Sequence, residues 1–126
     1  MNNCKRWILM LAVALAGGCA TTTQSLQPRV DEVSRKVYAK NRAPSEQRED
    51  YYVAWNGANI TLVKFEYRQV KLPNEIFAKS YVPTGRRYNV FDLPNDEFLK
   101  GGRVSAWRVT LWRDKDIVAE KKSALW

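Results

Sequence analysis

The chain has 126 residues, 45% of them hydrophobic and 12% aromatic, which is too apolar for a disordered protein and enough for one small domain. It contains no histidine and two cysteines, so the commonest general base and metal ligand are missing and thiol chemistry has little material. The net charge of +8 favours acidic lipid headgroups, anionic envelope polymers or an acidic protein as neighbours, although no run of five like charges concentrates it.

The N-terminus is a processing segment. Lys5 and Arg6 are followed by nine uninterrupted apolar residues, Trp7 to Leu15, and then by Ala16, Gly17, Gly18 and Cys19. Nine residues are too few for a bilayer core, which needs roughly 20, but they suit the apolar stretch of a signal peptide. Small residues let the backbone lie extended in a peptidase groove, and the thiol after them is a nucleophile for a lipid donor.

This stretch resembles the lipobox of bacterial lipoproteins, with Ala16 where leucine is commoner. The resemblance implies removal of residues 1–18 and lipidation of Cys19 as the first mature residue. Ala20 follows instead of aspartate, which by the same resemblance implies an outer-membrane position facing the periplasm in a diderm host. The protein is then expected in the cell envelope, with the membrane as its first partner. Export makes nucleic acid an unexpected partner, and loss of Lys5 and Arg6 lowers the charge by two, to +6. With Cys4 removed and Cys19 acylated, no disulfide is expected.

Residues 19–49 read as the lipidated cysteine and a flexible, partly helical tether. Ala20–Pro28 is polar. Val30, Val33 and Val37 have helical spacing, with Asp31 and Glu32 early and Lys36 and Lys40 late to suit the dipole; the alternative is disorder. From Asp50 to Trp126 the character is that of strands. Tyr51–Trp55 precedes Asn56-Gly57, a tight-turn pair. Ile60–Val70 alternates apolar Val63, Phe65 and Tyr67 with charged Lys64, Glu66 and Arg68, and Pro73-Asn74 breaks it. Phe77–Val82 and Tyr88–Leu93 are further candidates, the second with a parity change that predicts a bulge or a loss of strand there. One helical turn is expected at Glu97–Lys100.

Val104–Trp112 alternates most clearly, with Trp107, Val109 and Leu111 toward the core and Arg108, Thr110 and Trp112 outward. The polar turn Arg113–Asp116 leads to Ile117–Ala124. Matching apolar residues and opposite charges predicts Leu111 opposite Ile117, Val109 opposite Ala119 and Arg108 opposite Glu120.

Six or so strands with short turns indicate an all-β fold, a small antiparallel β-sandwich over residues 50–126. YNVFDLP followed by VSAWRVTLW is similar to the late strands of fibronectin type III and immunoglobulin-like modules. A small open barrel would give much the same pattern.

Catalytic arrangements are sparse. Ser80, Ser105 and Ser123 have no spacing that pairs them with a lysine. Asp92, Asp96 and Glu97, and Asp114 with Asp116, fall in predicted turns, where aspartate is a turn former. No enzyme activity, metal or cofactor is expected. The candidate binding face is Arg108, Thr110 and Trp112, since tryptophan beside arginine can anchor a protein or stack on a sugar. Arg86 and Arg87 form a second candidate, for phosphate or an acidic partner. Another envelope protein is the expected partner, with peptidoglycan or another glycan as the alternative.

Overall fold

The computed structural model describes residues 27–38 and 43–126. The expected signal peptide, Cys19 and the polar stretch 20–26 lie outside the described residues. In chain order the elements are β1 (Arg29–Tyr38), a 3-10 turn (Pro44–Glu46), β2 (Arg48–Asn56), β3 (Leu62–Gln69) and β4 (Leu72–Tyr81). They continue with β5 (Tyr88–Leu93), a short helix α1 (Asn95–Gly101), β6 (Val104–Arg113) and β7 (Asp116–Lys122). A three-stranded sheet ordered β1-β2-β5 faces a four-stranded sheet ordered β4-β3-β6-β7, and every pairing is antiparallel. This is the small antiparallel β-sandwich that the strand pattern implied.

Period-two burial builds the core. Tyr51, Val53 and Trp55 of β2 face Val63, Phe65 and Tyr67 of β3, with Phe91 and Leu93 of β5 and Val109 and Leu111 of β6 completing the layer. Trp107 is on this inner face, as its alternation implied, and is partly buried. The parity of β6 holds only from Trp107 onward. Val104 and Ala106 pair with Gln69 and Arg68 across a register shift, so Ser105 is the extra residue.

The helix expected over Val30, Val33 and Val37 is instead strand β1, so the sandwich begins near Arg29 and not at residue 50. The reason is a bulge. Val30 lies opposite Trp55 and Val33 opposite Val53, while Glu32 pairs with Ala54 and leaves Asp31 as the extra residue. A spacing of three across a bulge, followed by four within a regular strand, puts all three valines on the inner face and imitates a helical stripe.

Other expectations change as well. Asn56-Gly57 does not close a hairpin, because β2 and β3 belong to different sheets. Gly57 has φ 132, and a Cβ there would lie 2.8 Å from the Cα of Pro28, so the entering chain requires glycine at this point. Tyr88–Leu93 carries no bulge, and its apolar residues of both parities face both ways. Pro73 does not end the third strand but sits in β4, an edge strand that tolerates it. In the last hairpin Leu111 faces Ala119, Trp112 faces Ile117 and Thr110 faces Glu120, with a register shift between Leu111 and Trp112. A two-residue turn with Asp114 at φ 57 sets that register, one the cross-strand matching did not anticipate.

Glu49 is the one fully buried carboxyl group among the described residues. It continues the inner row of β2, and its Oε1 accepts the Val104 backbone N–H at 2.7 Å, tying the two sheets together. Its Oε2 lies 2.9 Å from Nε of Arg35, an ion pair not aligned as a hydrogen bond. Burial raises the Glu49 pKa above the ordinary carboxylate range, against the Val104 bond and the charges of Arg35 and Arg103, which lower it.

A folded-state pKa above the unfolded one means that the native state holds the extra proton, so stability falls as pH rises from the unfolded value toward the folded one. Glu49→Gln keeps an acceptor for Val104 and cannot ionise. Its stability relative to wild type is expected to improve between pH 4 and pH 7, measured by urea unfolding. Glu49→Ala is expected to lose about 1–3 kcal/mol, the cost of an orphaned buried N–H.

Candidate binding surfaces

The outer face of the four-stranded sheet holds Arg108, Thr110 and Trp112 together. Register places Glu66 beside Arg108, Lys64 beside Thr110 and Leu62 beside Trp112. The Arg108 guanidinium bridges two carboxylates, with Nε 2.5 Å from Glu120 Oε2 and Nη1 3.4 Å from Glu66 Oε1. The Trp112 indole N–H donates to Thr110 Oγ1 at 2.9 Å, and the Lys64 ammonium sits 5.2 Å from the Trp112 ring. Thr110 is 1% exposed.

This face is therefore largely satisfied within itself. Thr110 has no surface left for a ligand, which removes it as a contact residue. Arg108 already has two acidic neighbours, and Trp112 gives its indole N–H to the same sheet. Further along, Arg68 lies 4.8 Å from the Trp126 ring, extending the pattern of cations against aromatics. Sequence alternation located the face; the partners that close it come from β3 and β7, distant in sequence from Arg108.

The opposite sheet is open. Tyr52 is 36% exposed, Tyr88 45% and Val90 48%. Tyr52 lies across from Val90 in the ladder, and the Tyr52 and Tyr88 rings stack with centroids 5.8 Å apart, so the three make one contiguous patch. A depression of about 320 Å³ beside it is lined by Ser34, Lys36, Asp50, Tyr52 and Val90. The sequence carried a sign of this patch: the parity change within Tyr88–Leu93 marks a strand apolar on both faces.

Arg86 and Arg87 lie on the β4–β5 connection, and both are exposed. The Arg86 Nε donates to Tyr88 O at 3.0 Å and Nη2 to Asn89 Oδ1 at 2.8 Å, while its guanidinium lies about 5 Å from the Tyr81 and Tyr88 rings. Arg87 donates from Nη1 to Asn56 Oδ1 at 2.5 Å, and its carbonyl accepts the Trp55 N–H. Together with Gly57 and Ile60 they line an open depression of about 370 Å³ at one end of the sandwich.

Two of the acidic residues serve the fold. Asp114 occupies the hairpin turn, and Glu97 of α1 accepts the Tyr67 hydroxyl at 3.1 Å and pairs with Lys79 at 3.2 Å. The buried Tyr67 phenol has its pKa pushed up by burial and by the charge of Glu97. Gln69, also buried, donates to the carbonyls of Glu97 and Gly102 and so fixes α1 against β3. Among the described residues no cluster of acidic, histidine or cysteine side chains can hold a metal ion.

Because the Arg108 pairs are partly solvated, Arg108→Ala is expected to cost about 1 kcal/mol, less in 1 M salt, in urea unfolding. A loss above about 3 kcal/mol would mean that the face contributes more than screened surface pairs do. Comparison with protein-family models, with curated proteins and with solved structures finds no match.

Proposed function

We propose that the protein is a non-catalytic lipoprotein of the cell envelope, anchored through Cys19, whose sandwich presents the Tyr52–Tyr88–Val90 face to a partner protein. In a diderm host the resemblance of the N-terminus places it at the outer membrane, facing the periplasm. The observation that carries the interaction is the patch itself: three large apolar side chains in mutual contact on an exposed sheet face. Single exposed apolar residues need no explanation, whereas a contiguous group rimmed by polar residues is the usual form of a contact site. Here the rim is Lys36, Asp50 and Asp92, of both signs. Two tyrosines give a partner rigid, amphipathic area at low entropic cost. The absence of histidine from the chain and the engagement of Glu97, Asp114 and Glu49 in the fold support a binding role over a catalytic one.

Val90→Lys and Tyr52→Ala are expected to weaken partner capture from the native envelope by about tenfold or more each, the scale of an interface anchor. Circular dichroism should show both variants folded, and a photo-cross-linker at position 90 should capture the same partner while one at position 108 does not. Unchanged capture by both variants would exclude this face.

A further inference from the structure

We infer that the end of the sandwich carrying Arg86 and Arg87 rests on the phospholipid surface to which Cys19 is tied, with the two guanidinium groups against headgroup phosphates. The inference rests on the anchor proposed above and adds an orientation and a ligand chemistry to it.

Three observations carry it. First, the chain enters the domain at this end: Pro28 packs on Gly57, whose missing Cβ would otherwise collide with it. Nine peptide links separate Cys19 from Pro28, at most about 30 Å of chain, roughly the length of one ten-residue strand of this sandwich. The end bearing Pro28 is thus the one held within reach of the headgroups. Second, Arg86 and Arg87 make no ion pair among the described residues, unlike Arg29, Arg35, Lys79 and Arg108, each of which has a carboxylate. Their hydrogen bonds go to neutral oxygens, so their charge is uncompensated while the fork of Arg86 is held in place.

Third, the same loop leads with an apolar residue. Val82 is 64% exposed, directly before Pro83-Thr84-Gly85 and the two arginines. An exposed aliphatic side chain followed by cations is the arrangement that enters the boundary between headgroups and acyl chains. The neighbouring β6–β7 turn adds Lys115 but also Asp114 and Asp116, so the attraction comes chiefly from the arginine loop. Each arginine near an anionic surface changes the contact equilibrium by about fivefold.

The test uses the full-length lipidated protein reconstituted into vesicles of phosphatidylethanolamine and phosphatidylglycerol. A fluorophore on Thr84→Cys, with Cys19 acylated, is the single thiol label, and lipids with a nitroxide headgroup are the quencher. Strong quenching at position 84, weak quenching in a Lys100→Cys control on α1 at the other end, and loss of the position-84 signal in 0.5 M salt are expected. Arg86→Gln with Arg87→Gln should reduce it likewise, as should vesicles of phosphatidylcholine alone. Equal quenching at both positions, or quenching indifferent to salt and to both arginines, would overturn the orientation while the protein still floats with the vesicles. Failure of the wild type to float better than Cys19→Ser would overturn the anchor, and the orientation with it. Flotation and quenching are read separately, so the two failures are distinguishable.

Discussion

The stacking of Phe65 against the facing sheet is the contact on which the rest of the molecule depends. Its ring lies 4.9 Å from Tyr51 of β2, 5.4 Å from Phe91 of β5 and 5.5 Å from Tyr67 on its own strand. No cysteine occurs after position 19, so no disulfide clamps the two sheets and their packing holds them face to face. Glu49 adds a directional tie at one end, where a carboxyl group reaches from β2 to the first backbone N–H of β6. Arg35, on the inner face of edge strand β1, offsets the charge and places a cation where another chain would otherwise add a strand.

With the inner faces committed to that core, function is left to the outer faces and the loops, and the two outer faces differ in kind. On the four-stranded sheet, charges of opposite sign alternate across β3, β6 and β7 and pair with one another, while the tryptophans are covered by cations. A tryptophan beside an arginine is a good binding motif only when neither is already engaged. On the three-stranded sheet no ladder of ion pairs runs beside Tyr52, Tyr88 and Val90, which stay exposed although the Arg86 guanidinium lies 5.1 Å from the Tyr88 ring.

Strand identity was legible wherever one face is buried and the other polar, as in β3 and in β6 beyond Trp107. It was misread at β1, because a bulge at Asp31 changes the period from two to three and a valine stripe at mixed spacing looks helical. Register in the last hairpin was misread for a related reason: a two-residue turn with a positive φ at Asp114, and a bulge after it, overrode the matching of side chains. The diagonal Arg108–Glu120 contact survived that error, since a long guanidinium spans a shift of two residues. Alternation put Arg108, Thr110 and Trp112 on one outer face of β6, but it carried no sign that the face is closed. Closure depends on Lys64 and Glu66, and only the fold brings them alongside.

The placement of β1 also changes the geometry of the anchor. With the proposed anchor, a tether running to residue 49 would let the domain stand far from the bilayer, whereas a sandwich that begins at Arg29 leaves only nine peptide links between Cys19 and Pro28. The proposed surface contact and orientation both rest on that short connection. Intact-mass spectrometry of the processed protein tests it most directly. The account predicts a mature chain that begins at Cys19 and carries a diacylglyceryl group on its sulfur; a free Cys19 thiol, or a chain still beginning at Met1, would contradict it.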